Sequence, residues 1–167
     1  GLVEYRHLTA VSRLLTALVD VGTVWLIFLL GRHLYGPAVG LLSSAFLALN
    51  VMHVQLSHFF TADPYMTFFA VASVYLMVMA AAPKREASPS PRRSLIFLHL
   101  AAAAAGFAVG SKFAAVLLAL PLLVTAYLSV KERLGWILLS LGATLALAFI
   151  ITNPFALLDN SCEVVTP

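Results

Sequence analysis

The chain has 167 residues, of which 62% are hydrophobic and only 10% are charged, and its mean hydropathy is +0.99. About a quarter of the residues of a soluble globular domain are usually charged, so this composition excludes that class and indicates an integral membrane protein. The net charge of +3 does not indicate a nucleic-acid partner, because the basic residues lie between apolar segments, as in the cytosolic loops of membrane proteins. The single cysteine, Cys162, excludes an internal disulfide and a cysteine metal cluster.

Long apolar segments recur along the chain, and a helix of about 20 apolar residues crosses the roughly 30 Å hydrocarbon core of a bilayer. The alternation of apolar and polar residues that is typical of a membrane β-barrel does not occur. We therefore predict an all-α polytopic transmembrane bundle that forms one domain, without a separate soluble domain. Its six predicted spans are residues 14–31, 38–52, 64–82, 95–109, 113–130 and 134–152.

The first predicted span follows a polar segment, residues 1–13, and contains one carboxylate, Asp20. Asp20 would lie on the order of 10 Å below the start of the helix, where an ionisable side chain usually faces protein or a water-filled cavity. Asp20 could therefore take part in function, or it could be satisfied by Thr16 or Thr23 of the same helix. The chain begins with Gly1 rather than Met, and we expect it to be an internal part of a longer protein.

Three other segments have patterns that predict their structure. Residues 31–37 contain two glycines and a proline, which predict a tight turn after the first span. Residues 83–93 are rich in proline, serine and basic residues, and they predict a flexible linker inside the domain. Gly106 and Gly110 have the GxxxG spacing, which more often marks close helix packing than chemistry. The apolar sequence is then interrupted at Lys112.

Residues 53–64 form a polar and aromatic island between two apolar segments. Pro64 suits the first position of a helix, and Asp63 before it could cap that helix by accepting hydrogen bonds from free backbone N–H groups. On this structural interpretation, the aromatic side chains of the island form a belt at the membrane surface. Those side chains are Phe59 and Phe60, and Tyr65 directly after the island belongs to the same belt.

The island also supports a functional interpretation. His53, His58 and Asp63 within one short loop could hold a metal, bind a phosphate or transfer a proton, although histidines of this kind are more often ordinary loop residues. Lys112 could bind a phosphate as well, or its ammonium group could simply extend to the membrane surface from the end of a helix. The residues alone leave both interpretations open.

The distribution of basic residues predicts the orientation of the bundle. Seven of the ten Lys and Arg residues fall on one set of alternate connections, which should therefore be cytosolic. The island, Lys112 and the tail that contains Asp159 should lie on the opposite face, where we expect the chemistry. The seven basic residues are Arg32, Lys84, Arg85, Arg92, Arg93, Lys131 and Arg133.

The island and the helix after it resemble a known family. The sequence Ser57–Phe69 is similar to the outer loop and following helix of polyprenyl-phosphate-dependent glycosyltransferases of the protein O-mannosyltransferase type, which have the multispanning GT-C fold. Three further stretches resemble the same family in the same order. They are residues 30–36, 106–113 and 152–159, so the resemblance covers nearly the whole chain.

The resemblance implies transfer of a sugar from a polyprenyl-phosphate carrier to a protein or lipid acceptor at the extracytosolic surface. The expected location is a bacterial or archaeal plasma membrane, in preference to the endoplasmic reticulum. Asp63 matches the acid of the family's second outer loop and is the expected catalytic residue. The acid of the first outer loop, which is the expected base, would precede this chain, so the chain alone is expected to be inactive.

Sugar transfer from a lipid phosphate needs a base for the acceptor hydroxyl and positive charge or a metal for the departing phosphate. Lys112 and His58 are therefore the expected ligands of the donor phosphate. Three further residues, His53, Asp20 and Asp159, are the expected accessory residues. A divalent metal is the only cofactor that this chemistry suggests.

Two other classes of function fit parts of the sequence. A secondary transporter could use Asp20, Asp63 and Lys112 to line a substrate or proton path, although a transporter should place such residues near the middle of the membrane. A noncatalytic scaffold could pack against partner subunits through the alanine run at residues 101–105. The clustering of polar residues on one face favours the transferase.

Overall fold

The computed structural model describes residues 2–51, 55, 61–81, 91–130 and 134–154, and all regular structure in these ranges is helical. The predicted all-α membrane helical bundle is therefore confirmed. The main elements are α1 (Leu2–Tyr35), α2 (Pro37–Ala48), α3 (Ala62–Ala81), α4 (Pro91–Ser111), the 3₁₀ helix η1 (Phe113–Leu118), α5 (Ala119–Ser129) and α6 (Leu134–Thr152).

Four helical segments among the described residues are long and apolar enough to cross a membrane: residues 10–35, 62–81, 92–111 and 134–152. The other two predicted spans correspond to shorter helices. With 12 residues, α2 rises only about 18 Å, which is less than the hydrocarbon core. The six residues of η1 and the eleven of α5 together rise about 28 Å, because a 3₁₀ helix is more extended than an α-helix.

The first helix is longer than predicted at both ends. It includes almost all of the polar segment at residues 1–13, since a helix can continue where the bilayer ends. It also includes residues 31–35 of the predicted turn at residues 31–37. Only Gly36, with a φ of 101°, separates α1 from α2. Residues with a Cβ rarely adopt this φ, and Pro37 then suits the first position of α2.

Gly31 has a packing role instead of a turn role. It lies inside α1, where an added Cβ would approach the Cα of Gly40 in α2 to 2.9 Å. A Cβ on Gly40 would in turn lie 2.7 Å from the carbonyl oxygen of Phe28. The two glycines therefore allow α1 and α2 to pack closely after the sharp reversal at Gly36.

The centre of the bundle is α4, which packs between α3 and α6. The GxxxG prediction is confirmed as helix packing, because a Cβ on Gly106 would collide with the carbonyl oxygen of Leu145 and lie 2.7 Å from the Cβ of Ala148. The alanine run of α4 packs inside this bundle. The main core includes Met77, Leu98, Ala101, Ala102, Leu122, Ala126 and Leu141.

Serine side chains fix the register between α3 and α4, which run antiparallel. Ser73 donates to the carbonyl oxygen of Ala101 at 2.9 Å, and Ser94 donates to that of Ala80 at 2.9 Å. Both serines are buried, so each hydrogen bond satisfies a polar group that no water reaches. These contacts place the first turn of α3 beside the last turn of α4.

The first half of α1 lies at the same end of the bundle as the start of α3. The hydroxyl groups of Thr16 and Tyr65 lie 3.3 Å apart, and further along both helices a Cβ on Gly22 would lie 2.8 Å from the ring of Phe68. The two helices therefore run in the same direction. This arrangement agrees with the alternating topology of the sequence analysis, while the choice of the cytosolic face stays a prediction.

Candidate functional site

An ion pair joins two of the predicted site residues at one end of the bundle. The ammonium group of Lys112 donates a hydrogen bond to Oδ1 of Asp63 at 2.7 Å, although the two residues are 49 positions apart in the sequence. The side chains are 53% and 37% exposed, respectively, so solvent or a ligand can reach both. Acidic and basic candidates that were assigned separate roles from the sequence therefore form one site.

The register of α3 against α4 explains why these residues meet. The hydrogen bond from Ser73 reaches Ala101, and antiparallel helices advance in opposite directions from that contact. Ten residues back along α3 lies Asp63, and ten residues forward along α4 lies Ser111, the last residue of that helix. Lys112 follows immediately, so the bond to Asp63 is a consequence of helix packing.

Asp63 lies in the first turn of α3, which begins at Ala62. The predicted N-cap role of Asp63 at a helix starting with Pro64 is therefore wrong. Proline fits this turn because the first N–H groups of a helix have no intrahelical acceptor. The carboxylate is favoured here by the helix dipole, and its side chain bonds to Lys112 while the Asp63 backbone oxygen accepts a 2.9 Å hydrogen bond from Thr67.

Lys112 occupies the break between α4 and η1. Its backbone is extended, with φ −155° and ψ 123°. Its N–H group donates to the carbonyl oxygen of Ala108 at 3.0 Å, and its carbonyl oxygen accepts from the N–H group of Ala115 at 3.0 Å. Because both backbone groups of Lys112 are hydrogen-bonded, the backbone that carries the side chain is held in place.

The ion pair contributes little to stability. Pairs with this degree of exposure are typically worth no more than about 1 kcal/mol, because water competes for both charges. A lysine ammonium is a compact point charge that binds phosphate well, and a carboxylate beside it can orient the ammonium group. The ion pair therefore contributes little to holding the helices together, and its ammonium group is accessible to a ligand.

An apolar groove of about 250 Å³ lies between α3 and η1, lined by residues that follow Asp63 and Lys112 closely in the sequence. Met66 is one helical turn beyond Asp63, and Ala70 is about 10 Å deeper than Asp63 along α3. Several positions in the groove are alanines, which leave space that larger side chains would fill. The lining residues are Met66, Ala70, Ala114, Ala115, Leu117 and Leu118.

Asp20 lies on the face of α1 that also carries Thr16 and Thr23, both of which are buried. The Thr16 hydroxyl donates to the carbonyl oxygen of Ser12 at 3.0 Å, and the Thr23 hydroxyl donates to that of Val19 at 3.0 Å. Both threonine hydroxyls thus donate to backbone oxygens of their own helix, and the role of Asp20 stays a prediction.

Three predicted residues, His53, His58 and Asp159, lie outside the described residues, and their roles stay predictions. Within the ranges that the structure describes, no three or more His, Cys, Asp or Glu side chains are grouped so that they could hold a metal. The divalent metal stays a prediction, because His53 and His58 of the island lie outside the described residues.

Two residues near the site have contacts that the sequence analysis did not predict. The hydroxyl of Tyr65, which was assigned to an interfacial belt, faces Thr16 of α1. The side-chain amide of Asn153 donates to the carbonyl oxygen of Gly110 at 3.1 Å. The helical spacing of Thr16, Asp20 and Thr23 is the signal that could have predicted a protein-facing surface on α1.

Comparison with protein families places these residues in one matched region. A family model described as dolichyl-phosphate-mannose-protein mannosyltransferase matches residues 7–156. The match includes Asp20, Asp63, Lys112 and Asn153. Neither the curated proteins nor the solved structures gave a match.

Proposed function

The chain belongs to the dolichyl-phosphate-mannose-protein mannosyltransferase family, and from this premise we propose that it transfers a sugar from a polyprenyl-phosphate carrier to a protein or lipid acceptor. Membership makes it a membrane glycosyltransferase of the mannosyltransferase kind. The observation that carries the proposal is the ion pair between Asp63 and Lys112, which provides an accessible positive charge at the end of a membrane bundle.

The proposed reaction forms a bond between the acceptor oxygen and the anomeric carbon of the sugar. The bond between that carbon and the carrier phosphate breaks, the phosphate leaves with both bonding electrons, and the acceptor proton passes to a base. Negative charge therefore develops on the departing phosphate, where a lysine ammonium stabilises it most. We assign this role to Lys112 and the role of organiser to Asp63.

The apolar groove supports a lipid-linked donor. It begins about one helical turn from Asp63 and extends toward the middle of α3. A donor with a charged phosphate and a hydrocarbon chain matches a lysine beside an apolar groove, whereas a nucleotide-linked sugar has no chain to place there. We therefore propose that the groove receives the part of the polyprenyl chain nearest the phosphate.

We also propose that the site faces the extracytosolic side of a bacterial or archaeal plasma membrane. The excess of Lys and Arg on the opposite connections supports this orientation. Donor and acceptor would then meet at the head-group level, where the carrier phosphate lies. His58 is retained as a second proposed phosphate ligand, and His53 and Asp159 as accessory residues.

A transfer assay with the full-length protein in lipid vesicles tests the proposal. We expect sugar transfer from polyprenyl-phosphate mannose and none from a nucleotide-linked mannose. In Lys112→Met the KM for the lipid donor should rise, because the phosphate loses its ammonium partner. Transfer from the nucleotide-linked sugar, or solute uptake without any transfer, would contradict the proposed function and in the second case favour a transporter.

A further inference from the structure

Asn153 connects the end of α6 to the end of α4. It directly follows α6, and its N–H group closes the last turn of that helix on the carbonyl oxygen of Phe149 at 2.9 Å. Its side-chain amide crosses to α4 and donates to the carbonyl oxygen of Gly110 at 3.1 Å. Gly110 lies two positions before Lys112, so this bond acts on the segment that carries the proposed phosphate ligand.

The bond from Asn153 supplies a donor to a backbone carbonyl oxygen that has none within α4. The last four carbonyl oxygens of an α-helix have no intrahelical donor, and α4 ends at Ser111. The oxygen of Ala108 receives the N–H group of Lys112, and the oxygen of Gly110 receives the amide of Asn153. The last turn of α4 is thus bonded on one side to Lys112 and on the other side to α6.

Gly110 makes this contact sterically possible. A Cβ at this position would collide with the hydroxyl group of Thr152 and lie 3.0 Å from Nδ2 of Asn153. With glycine, α6 approaches closely enough for the amide to reach the backbone of α4. The contact therefore depends on two of the stretches that carried the family resemblance, residues 106–113 and 152–159.

We propose that Asn153 is a positioning residue for Lys112. Asp63 holds the ammonium group of Lys112, while Asn153 holds the backbone from which that side chain projects. The inference rests on the proposed function, because it assumes that Lys112 binds the donor phosphate. Asn153 acts on the donor only through Lys112.

Two variants remove the amide donor. Asn153→Ala leaves the Gly110 carbonyl without its partner, and we expect the KM for polyprenyl-phosphate mannose to rise about tenfold. Asn153→Leu has nearly the shape of Asn and adds no polar group at the end of the membrane helix, so the variant protein should still insert into the membrane and show the same rise in KM. Thr144→Val is the matched control, because it removes a 2.8 Å hydroxyl bond to Ser140 within α6 and should leave KM unchanged.

A double-mutant cycle separates positioning from general support of the fold. If Asn153 acts through Lys112, adding Asn153→Leu to Lys112→Met should produce no further rise in KM. An unchanged KM in both Asn153 variants would overturn the inference, and so would a full additional rise in the Lys112→Met background. An unchanged KM in Lys112→Met alone would instead refute the donor role of Lys112 in the proposed function, and the role of Asn153 would fall with it.

Discussion

Replacing Asp63 by Asn tests the organiser role most directly, because the change removes a charge and keeps the shape. The 2.7 Å bond from Lys112 would become a weaker bond to a neutral amide oxygen, and the ammonium group would be free to move away from the donor phosphate. We expect turnover to fall about 10²-fold, which corresponds to about 2.7 kcal/mol of transition-state stabilisation.

The expected cost in stability is smaller than the cost in activity. Loss of the exposed ion pair should contribute no more than about 1 kcal/mol, and loss of a charge in the first turn of α3 should contribute a similar amount. Because Asp63 is not the N-cap of α3, Asp63→Ala should lose little additional stability relative to Asp63→Asn. Both variants should therefore be expressed and folded while turnover is lost.

The measurement is the initial rate of sugar transfer by the full-length protein, with thermal unfolding recorded on the same samples. Thr67→Val is the control, because it removes the 2.9 Å hydroxyl bond to the Asp63 backbone oxygen and leaves the carboxylate in place. That variant should keep turnover within a few-fold of the wild type. Near-normal turnover in Asp63→Asn would refute the assignment of Asp63 to the active site.

The remaining predictions concern topology, the groove and packing. In intact cells, with Cys162 replaced by Ser, a membrane-impermeant thiol reagent should label a cysteine at position 57 and leave one at position 88 unlabelled; the opposite pattern would invert the orientation. Ala115→Leu should raise KM for a long-chain donor more than for a short-chain analogue, and equal effects would argue against a chain in the groove. Gly106→Val should lower the unfolding temperature by several degrees, because its side chain collides with α6, whereas Gly142→Ala, which has open space, should not.

The sequence predicted the long helices better than their ends. Apolar composition marks the part of a helix inside the bilayer, so it located the spans at residues 64–82 and 134–152 to within two residues. It gave no information where a helix continues beyond the membrane, as α1 does toward Leu2. It also placed Arg92 and Arg93 in a loop, although proline at the start of α4 allows both to lie in its first turn.

The sequence predicted the members of the site but not their contacts. Alternating topology placed Asp63 and Lys112 on one face, because every second connection between spans lies on the same side of the membrane. Their direct bond depends on the register of α3 against α4, which Ser73 and Ser94 set through bonds to backbone oxygens. Such bonds leave no local pattern in the sequence, since nearly every serine in an apolar helix could bond to its own helix instead.

The site needs a helical bundle as its support. A single lysine at the end of an isolated helix would sample many positions, and the entropy of fixing it would weaken any bond to a phosphate. Here α3 supplies the carboxylate that holds the ammonium group, while Asn153, directly after α6, supplies the amide that caps the turn before Lys112. Packing of three helices against one another thus places one positive charge, and in the proposed reaction this preorganised charge would stabilise the departing phosphate without reorganisation.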